Sequence, residues 1–409
     1  MEGRKVNIYV LIIKICKKIK NQPIYLIFLI LEILSIIIYF PKYLYYLFKK
    51  KKIIAIDWQN GIYSSFFMPL YESLKRKSNL EVIFFFSFRG RNYINIFVLE
   101  RGMPEIYKDI LDNKIVICAT CSKYVKLKNT VRIQIFHGLS SFGCAWQRTF
   151  IDNFDVLFLV TKFQWYQCAQ GKYKELIEGK RIFKIGYPKI DKYITIEKQA
   201  KTIKKKDLIL FYGPTYHREI SSIFNFLSEI VQICKANDYI LIIKLHPLLF
   251  YKHNYCYSGC IDWERRINSY KENYGKIILI KENDKNISIS KYFKTADIFL
   301  TDCSGIGFEY VLSTGKPIIF LGNKLKIPLE DLRKGNIRKY KKYPEVYYRG
   351  KIGPIVKEHQ KLEKTIKYLI KKDNYRTERV KFRKEYIFNL GVSANIAVAK
   401  IKDIYKEEI

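Results

Sequence analysis

The chain has 409 residues, 49% of them hydrophobic, so it is long enough for two domains and too apolar to be disordered in bulk. Its formal net charge of +36 indicates an anionic partner: nucleic acid, an anionic membrane surface or a phosphate-rich substrate. The basic residues are spread along the whole chain and no nucleic-acid-binding motif occurs, so we expect no nucleic acid partner. The nine cysteines lack the spacing of a zinc site, and we predict free thiols and no metal site.

Residues 1–50 differ in composition from the rest of the chain. Two apolar stretches, 6–16 and 24–40, are separated and flanked by lysines. The second contains one acid, Glu32, and is close to the lower limit of about 17 residues for a membrane-spanning helix. Lysine and tyrosine at its ends suit an anionic lipid surface, so we predict a membrane-associated segment that either spans the bilayer or lies in its plane. The alternative is a buried helix hairpin of the first domain.

From residue 51 onward the sequence alternates between strand and helix patterns. Short β-branched or aromatic runs end near polar or glycine residues, and one segment with helical spacing follows the first of them. The predicted strands are residues 53–57, 81–87, 115–120, 131–136 and 156–160, and the predicted helix is 64–77. A lysine-rich stretch, 198–206, then interrupts the alternation. We therefore assign residues 51–197 to a first domain.

The alternation starts again after this link. The predicted strands are residues 208–212, 239–245, 276–280, 298–300 and 317–321, with a helix at 221–236 and helices again from 360 to 408. We assign residues 198–375 to a second domain and 376–409 to a helical tail. Alternating strands and helices imply parallel sheets covered on both faces. The predicted fold class is α/β, with two Rossmann-like domains facing across a cleft, the GT-B arrangement. Dinucleotide-binding and Walker-type glycine motifs are absent from the sequence.

The turn after the strand at 298–300 has the features of an anion site. Ser304 stands where a helix N-cap belongs, and Gly305 and Gly307 would let the backbone approach a ligand. The helix that follows would point its free N–H groups at the carboxyl edge of the sheet, where α/β folds hold phosphates. The alternative is an ordinary capped helix after a buried strand.

Three other polar positions follow predicted strands. His137 comes after the strand at 131–136, and His246 after the strand at 239–245, so each lies at a strand end where active sites assemble. A histidine there could act as a general base or stabilise phosphate charge, although a lone histidine is more often structural. The segment 214–218 offers the Thr215 hydroxyl and the Arg218 guanidinium for phosphate oxygens, or forms a plain turn.

These motifs, taken in chain order, resemble the CDP-glycerol glycerophosphotransferase family of teichoic-acid primases, teichoic-acid polymerases and related capsule polymerases. The residues that carry the resemblance are His137-Gly138, Gly186-Tyr187-Pro188 with Asp191, Pro214-Thr215, Lys244 with His246-Pro247, Thr301-Asp302 with Ser304, and Gly315-Lys316-Pro317.

The resemblance implies a transferase at the cytoplasmic face of the cell membrane that needs no cofactor. It would move a polyol phosphate from a CDP-activated donor to a hydroxyl of a membrane-linked or polymeric acceptor. His137 matches the family's catalytic base, and His246 the second essential histidine, in the donor half. The donor-binding residues would be Pro214, Thr215, Arg218, Thr301, Asp302, Ser304, Gly305 and Glu309.

The sequence departs from the family pattern at three places. The usual Thr-Pro-x-Lys after His-Gly is replaced by Leu139 and the serines that follow it. Gly305 replaces a second serine, and Glu309 replaces the aspartate of the usual Asp-Tyr ending. The segment 304–309 also resembles nucleotide-sugar epimerases and other GT-B enzymes, in which such a glutamate holds the nucleotide ribose. A GT-B glycosyltransferase that uses a sugar nucleotide for surface polysaccharide is therefore the first alternative. A non-catalytic, membrane-associated, polyanion-binding protein is the second.

Overall fold

The structure of the protein is a computed structural model. It describes residues 53–57, 64–77, 81–85, 115–118, 131–136, 138–139, 151–169, 174–198, 207–250, 253, 255–280, 289–322 and 343–408.

The first half forms a six-stranded parallel sheet in the order β2-β1-β3-β4-β5-β6. Its strands are β1 (Ile53–Asp57), β2 (Glu81–Phe85), β3 (Ile115–Cys118), β4 (Val131–Ile135), β5 (Val156–Leu159) and β6 (Arg181–Lys184). Its helices are α1 (Ser64–Lys77), α2 (Lys162–Ala169) and α3 (Pro188–Lys198), with a 3₁₀ turn at Glu175–Ile177. β5 is buried along its whole length, as parallel strands covered on both faces are.

The second half forms another six-stranded parallel sheet, in the order β12-β11-β10-β7-β8-β9. Its strands are β7 (Ile209–Tyr212), β8 (Ile240–Lys244), β9 (Ile277–Ile280), β10 (Ile298–Thr301), β11 (Ile318–Leu321) and β12 (Ile355–Val356). The helices are α4 (Ile223–Ala236), α5 (Trp263–Asn273), α6 (Ile289–Thr295), α7 (Gly305–Thr314), α8 (Pro344–Tyr347), α9 (Leu362–Lys371), α10 (Arg376–Glu385) and α11 (Ser393–Glu408). Short 3₁₀ turns occur at Pro247–Phe250 and His359–Lys361.

Three hydrophobic clusters hold these layers together. One packs α1 and α11 on one face of the first sheet, and another packs α4, α5 and α9 on one face of the second. The third combines residues of both sheets with α3, α7 and α10, so apolar packing continues from one half of the chain to the other. The two sheets are therefore joined through α3 and α7, which lie against each other.

The last helix returns to the first sheet. Val398 and Ile401 of α11 lie in the same cluster as Ile54 and Phe67. Asp191 of α3 fixes the start of α11, since its carboxylate accepts hydrogen bonds from the N–H groups of Gly391 (2.9 Å) and Ala394 (2.7 Å). Burial raises the pKa of Asp191 to about 6, against the opposing effect of these N–H donors.

The α/β fold predicted from the sequence, with two parallel sheets, is confirmed. Two strands were missed: β6, which has only four residues, and β12, which has two. Several predicted strands are shorter in the structure, for example 81–87, which ends at Phe85. The predicted membrane segment, 1–50, lies outside the described residues. Within the ranges the structure describes, none of the helices combines the length and the apolar character needed to cross a bilayer.

Candidate functional site

Three of the predicted motifs meet at the carboxyl edge of the second sheet. The central strands run in the order β10-β7-β8, and each of the three ends in one of those motifs. The chain leaves β7 towards β8 on one side, while β10 lies on the other, so the strand order reverses between β7 and β10. Ligands of open parallel sheets bind in the crevice outside such a reversal.

Asp302 forms the structural centre of this edge. Its carboxylate accepts hydrogen bonds from the N–H groups of Thr215 (3.0 Å), Ser222 (2.8 Å) and Cys303 (2.7 Å), and from the Ser222 hydroxyl (3.0 Å). Asp302 is only 1% exposed and Thr215 only 2%. The carboxylate therefore ties the loop after β7 to the turn after β10, and its oxygens face the protein's own donors. Burial raises the pKa of this carboxyl, and the N–H donors oppose that effect.

Thr301 has a similar supporting role. Its hydroxyl donates to the carbonyl of Gly213 at 2.7 Å, and the residue is completely buried. Pro214, the next residue of that loop, is buried as well. Four residues that the sequence predicted to bind the donor are thus buried and support the two loops: Pro214, Thr215, Thr301 and Asp302.

The two glycines of the turn differ in what surrounds them. A Cβ atom on Gly307 would lie 2.8 Å from Cγ2 of Thr301, so this glycine allows α7 to pack closely on β10. This packing accounts for the glycine at position 307, and its predicted contact with a ligand stays a prediction. A Cβ atom on Gly305 would meet nothing within 4 Å, so the backbone at the start of α7 borders open space.

The start of α7 is suited to an anion. Ser304 has the extended backbone of an N-cap (φ −73°, ψ 138°), yet its side chain makes no capping hydrogen bond. The first N–H groups of a helix have no partners within the helix and carry its positive dipole end. At the other end, Arg379 donates to the carbonyl of Gly315 (2.9 Å) and Arg383 to that of Leu312 (3.0 Å). Cations thus satisfy carbonyls at the C-terminus of α7, while Gly305 at its N-terminus borders open space.

His246 follows β8 at the same edge. Its Nδ1 atom accepts a hydrogen bond from the N–H group of Leu248 at 3.2 Å, so the neutral ring carries its proton on Nε2. The Tyr216 ring lies against the imidazole, with 4.3 Å between the ring centroids. A histidine with this tautomer can donate a hydrogen bond to a phosphate oxygen.

Arg218 lies on the exposed side of the loop after β7. Its guanidinium carbon is 4.1 Å from the centre of the Tyr255 ring, and its backbone N–H donates to the carbonyl of Cys256 (2.9 Å). The loop after β8 therefore packs on the loop after β7. Stacking on an aromatic face leaves the edge of a guanidinium available for an oxyanion.

Glu309 lies one helical turn beyond Gly305. Its carboxylate forms an ion pair with Lys189 (2.7 Å) and accepts a hydrogen bond from the Tyr187 hydroxyl (3.2 Å). Tyr187 and Lys189 belong to the Gly-Tyr-Pro-Lys motif that starts α3 in the first domain. No local pattern of residues marks this contact, because the partners are separated by 120 residues or more.

Arg349 is a residue of this edge that sequence reasoning missed. It follows α8, is 6% exposed, and donates to the carbonyls of Leu321 and Gly322 at the end of β11. Burial lowers the pKa of its guanidinium, and Cys303 and Asp302 act in the opposite direction. Arg349 is thus a buried cation beside the turn after β10, and no local motif marks it.

His137 lies outside the described residues. Its neighbours Phe136 and Leu139 belong to the same hydrophobic cluster as Phe308 of α7. The carbonyl of Leu139 accepts a hydrogen bond from the Tyr386 hydroxyl at 2.7 Å. Phe136 and Leu139, the described neighbours of this position, therefore contact both halves of the chain.

Comparison with known proteins gives one family match and several structural matches. The sequence profile of the family described as CDP-Glycerol:Poly(glycerophosphate) glycerophosphotransferase matches residues 38–391. None of the curated proteins matches the sequence.

Among solved structures, the wall teichoic acid polymerase TagF has a TM-score of 0.57 at 16% identity, over 87% of this chain and 89% of TagF. A TagF variant with asparagine in place of histidine, soaked with CDPG for 30 minutes, has a TM-score of 0.56 at 18% identity, over 87% and 89% of the two chains. A UDP-GlcNAc 2-epimerase from Neisseria meningitidis, bound to UDP-GlcNAc, has a TM-score of 0.53 at 15% identity, over 86% and 100%. At these identities the likeness shows a shared GT-B fold.

Proposed function

The chain belongs to the CDP-glycerol:poly(glycerophosphate) glycerophosphotransferase family, and on that premise we propose that it transfers glycerol phosphate from CDP-glycerol to a hydroxyl of a growing polyol-phosphate polymer. The observation that carries the proposal is the open backbone at Gly305, at the start of a helix whose far end is held by two arginines. A diphosphate is the ligand that such a helix start favours.

In this proposal the donor diphosphate rests on the N–H groups at the start of α7. Ser304, Gly305 and Arg218 surround it, and Nε2 of His246 donates to one of its oxygens. Thr301, Asp302 and Thr215 keep the two loops at the required separation through the hydrogen bonds described above. Fixed donors that face the developing negative charge contribute most of the rate acceleration in reactions of this kind. The TagF structure soaked with CDPG supports a CDP-linked donor.

The acceptor hydroxyl attacks the β-phosphorus of CDP-glycerol from the side of the first domain. A new P–O bond forms to the acceptor oxygen, the bond between the β-phosphorus and the bridging oxygen breaks, and CMP leaves. We assign the acceptor proton to His137, whose flanking residues pack against α7. Positioning both reactants in line removes much of the entropic barrier to the reaction.

We further propose that the enzyme works at the cytoplasmic face of the cell membrane on a membrane-linked acceptor, in teichoic-acid or capsule synthesis. The support is the family and the lysine-flanked apolar segment 24–40. Sedimentation of the full chain with anionic and neutral vesicles tests this. Absence of the chain from both vesicle pellets would contradict it.

The function is tested with a panel of donors in the presence of a poly(glycerol phosphate) acceptor. We expect CMP release from CDP-glycerol together with lengthening of the polymer by phosphodiester-linked glycerol. Release of UDP from a UDP-sugar, with no reaction of CDP-glycerol, would favour a GT-B glycosyltransferase. Absence of nucleotide release from every donor would favour a non-catalytic protein.

A further inference from the structure

A buried ion pair connects α7, the helix whose start is proposed to bind the donor diphosphate, to α3 of the first half of the chain. Oε2 of Glu309 lies 2.7 Å from Nζ of Lys189, and Oε1 accepts the Tyr187 hydroxyl at 3.2 Å. The side chains of Lys189 and Glu309 are 12% and 9% exposed. Burial and the charge of Glu309 raise the pKa of Tyr187 well above its ordinary value, so its hydroxyl keeps the proton that it donates.

We propose that Lys189 and Tyr187 are positioning residues, which hold the Glu309 carboxylate in the orientation that accepts the two ribose hydroxyls of the donor nucleotide. The inference rests on the proposed function and extends it to ribose selection. It assigns a role in the donor site to two residues of the first domain.

The hydrogen-bonding capacity of Glu309 permits both sets of partners. An ionised carboxylate offers about four lone-pair positions on its two oxygens. Lys189 and Tyr187 occupy one on each oxygen. Each oxygen therefore keeps a second position, and a vicinal diol such as that of ribose can donate to both at once.

The position of Glu309 on α7 agrees with this role. Gly305 and Glu309 are four residues apart, so they lie on the same side of the helix, about one turn or 5.4 Å along its axis. If the diphosphate rests on the start of α7, the ribose of the same nucleotide can extend along that side. The carboxylate would then meet the sugar and not the phosphates, with which a negative charge is incompatible.

Two fixed donors are needed because a glutamate side chain has three rotatable bonds and is otherwise mobile. The ammonium also compensates the cost of holding a carboxylate at 9% exposure. Without Lys189, Glu309 would lose both its counter-charge and its fixed orientation. Without the Tyr187 hydroxyl, it would lose only one directional hydrogen bond. The two substitutions should thus act in the same direction and to different extents.

The test measures kcat/KM of the full chain for CDP-glycerol and for its 2′,3′-dideoxyribose analogue, which lacks both hydroxyls, since a ribose contact predicts discrimination between them. We expect the wild type to prefer the ribose donor by about tenfold or more, the worth of a hydrogen bond to a charged group. Lys189→Met should lower kcat/KM for the ribose donor about tenfold or more and leave the dideoxy donor nearly unchanged. Tyr187→Phe should reduce the preference part of the way, and Lys189→Arg should retain it.

Lys192→Met is the matched control. Lys192 also lies on α3. Its side chain is 46% exposed, and its Nζ atom is 3.7 Å from Oε1 of Glu72. We expect it to leave the ribose preference unchanged. An equal fall with both donors in Lys189→Met, with Tyr187→Phe keeping the full preference, would show a purely structural contact and overturn the proposal.

Two further outcomes separate this inference from the proposed function. A wild type that releases CMP from both donors at equal rates would overturn the ribose contact and leave the transfer reaction standing. A wild type that releases no CMP from CDP-glycerol would overturn both.

Discussion

Replacing Asp302 by asparagine should destabilise the second half of the protein strongly, although the change is nearly isosteric. The carboxylate oxygens accept from three backbone N–H groups and one hydroxyl. An asparagine keeps one of these oxygens, and its NH₂ group must then face at least one N–H donor, that of Cys303 or that of Ser222. Each buried donor left without an acceptor costs about 1–3 kcal/mol.

We therefore expect Asp302→Asn to lower the free energy of unfolding by about 2–4 kcal/mol. Because burial raises the pKa of Asp302, the ionised carboxylate itself carries a cost that asparagine avoids, which argues for the lower part of this range. The assay is urea unfolding followed by circular dichroism, with the midpoint and the slope fitted together.

Asp297→Asn is the matched control for this substitution. Asp297 precedes β10 and accepts from the N–H group of Ile209 at 2.8 Å, at the opposite edge of the sheet. We expect a smaller loss there, because an asparagine oxygen can keep that hydrogen bond. If Asp302→Asn retained wild-type stability and lost only donor affinity, Asp302 would be a ligand-binding group, and the supporting role assigned to it would be refuted.

Three other predictions concern single residues. His137→Ala and His246→Ala should each lower kcat about 10²–10⁴-fold at matched expression. The control His359→Ala, in an exposed 3₁₀ turn, should leave kcat unchanged. Near-normal turnover of His137→Ala or His246→Ala would remove the substituted histidine from the mechanism. Ser304→Ala should raise the KM for CDP-glycerol. It should change the free energy of unfolding by less than about 0.5 kcal/mol, since no capping hydrogen bond is lost. A loss of about 1 kcal/mol in the urea unfolding assay, typical of a removed cap, would contradict this. Burial raises the pKa of Asp191 in the fold from 3.8 to about 6, so the fold loses stability as the carboxyl ionises with rising pH. The stability of the wild type relative to Asp191→Asn should fall by roughly 2 kcal/mol between pH 4 and pH 6, because a pKa difference of one unit is worth about 1.4 kcal/mol and the titration is incomplete at both limits. A difference independent of pH would refute the assignment.

Hydrophobic periodicity predicted most of the fold, because buried parallel strands are short apolar runs with polar ends. β6 and β12 were not predicted, since a run of two to four residues is too short to show a hydrophobic period. The motifs also indicated which strand ends form the site. They did not predict which way each side chain points: Thr301 and Asp302, which the motifs predicted to bind the donor, are buried and hydrogen-bonded to the protein's own groups.

The other features that could not be predicted from the sequence are long-range contacts. The pairing of Glu309 with Lys189 joins residues 120 positions apart, and Arg349 reaches the end of β11 from a different segment. Such contacts depend on how the two halves pack, which a local pattern of residues does not encode.

The position of the donor diphosphate is the central point of the proposed function. A structure of the protein with bound CDP would locate it. We predict the diphosphate oxygens within hydrogen-bonding distance of the backbone N–H groups of Gly305 and Ile306, with the cytidine ribose beside Glu309. Density for CDP at the carboxyl edge of the first sheet, next to β1 and β3, would contradict the donor site and the roles assigned to His246 and Glu309.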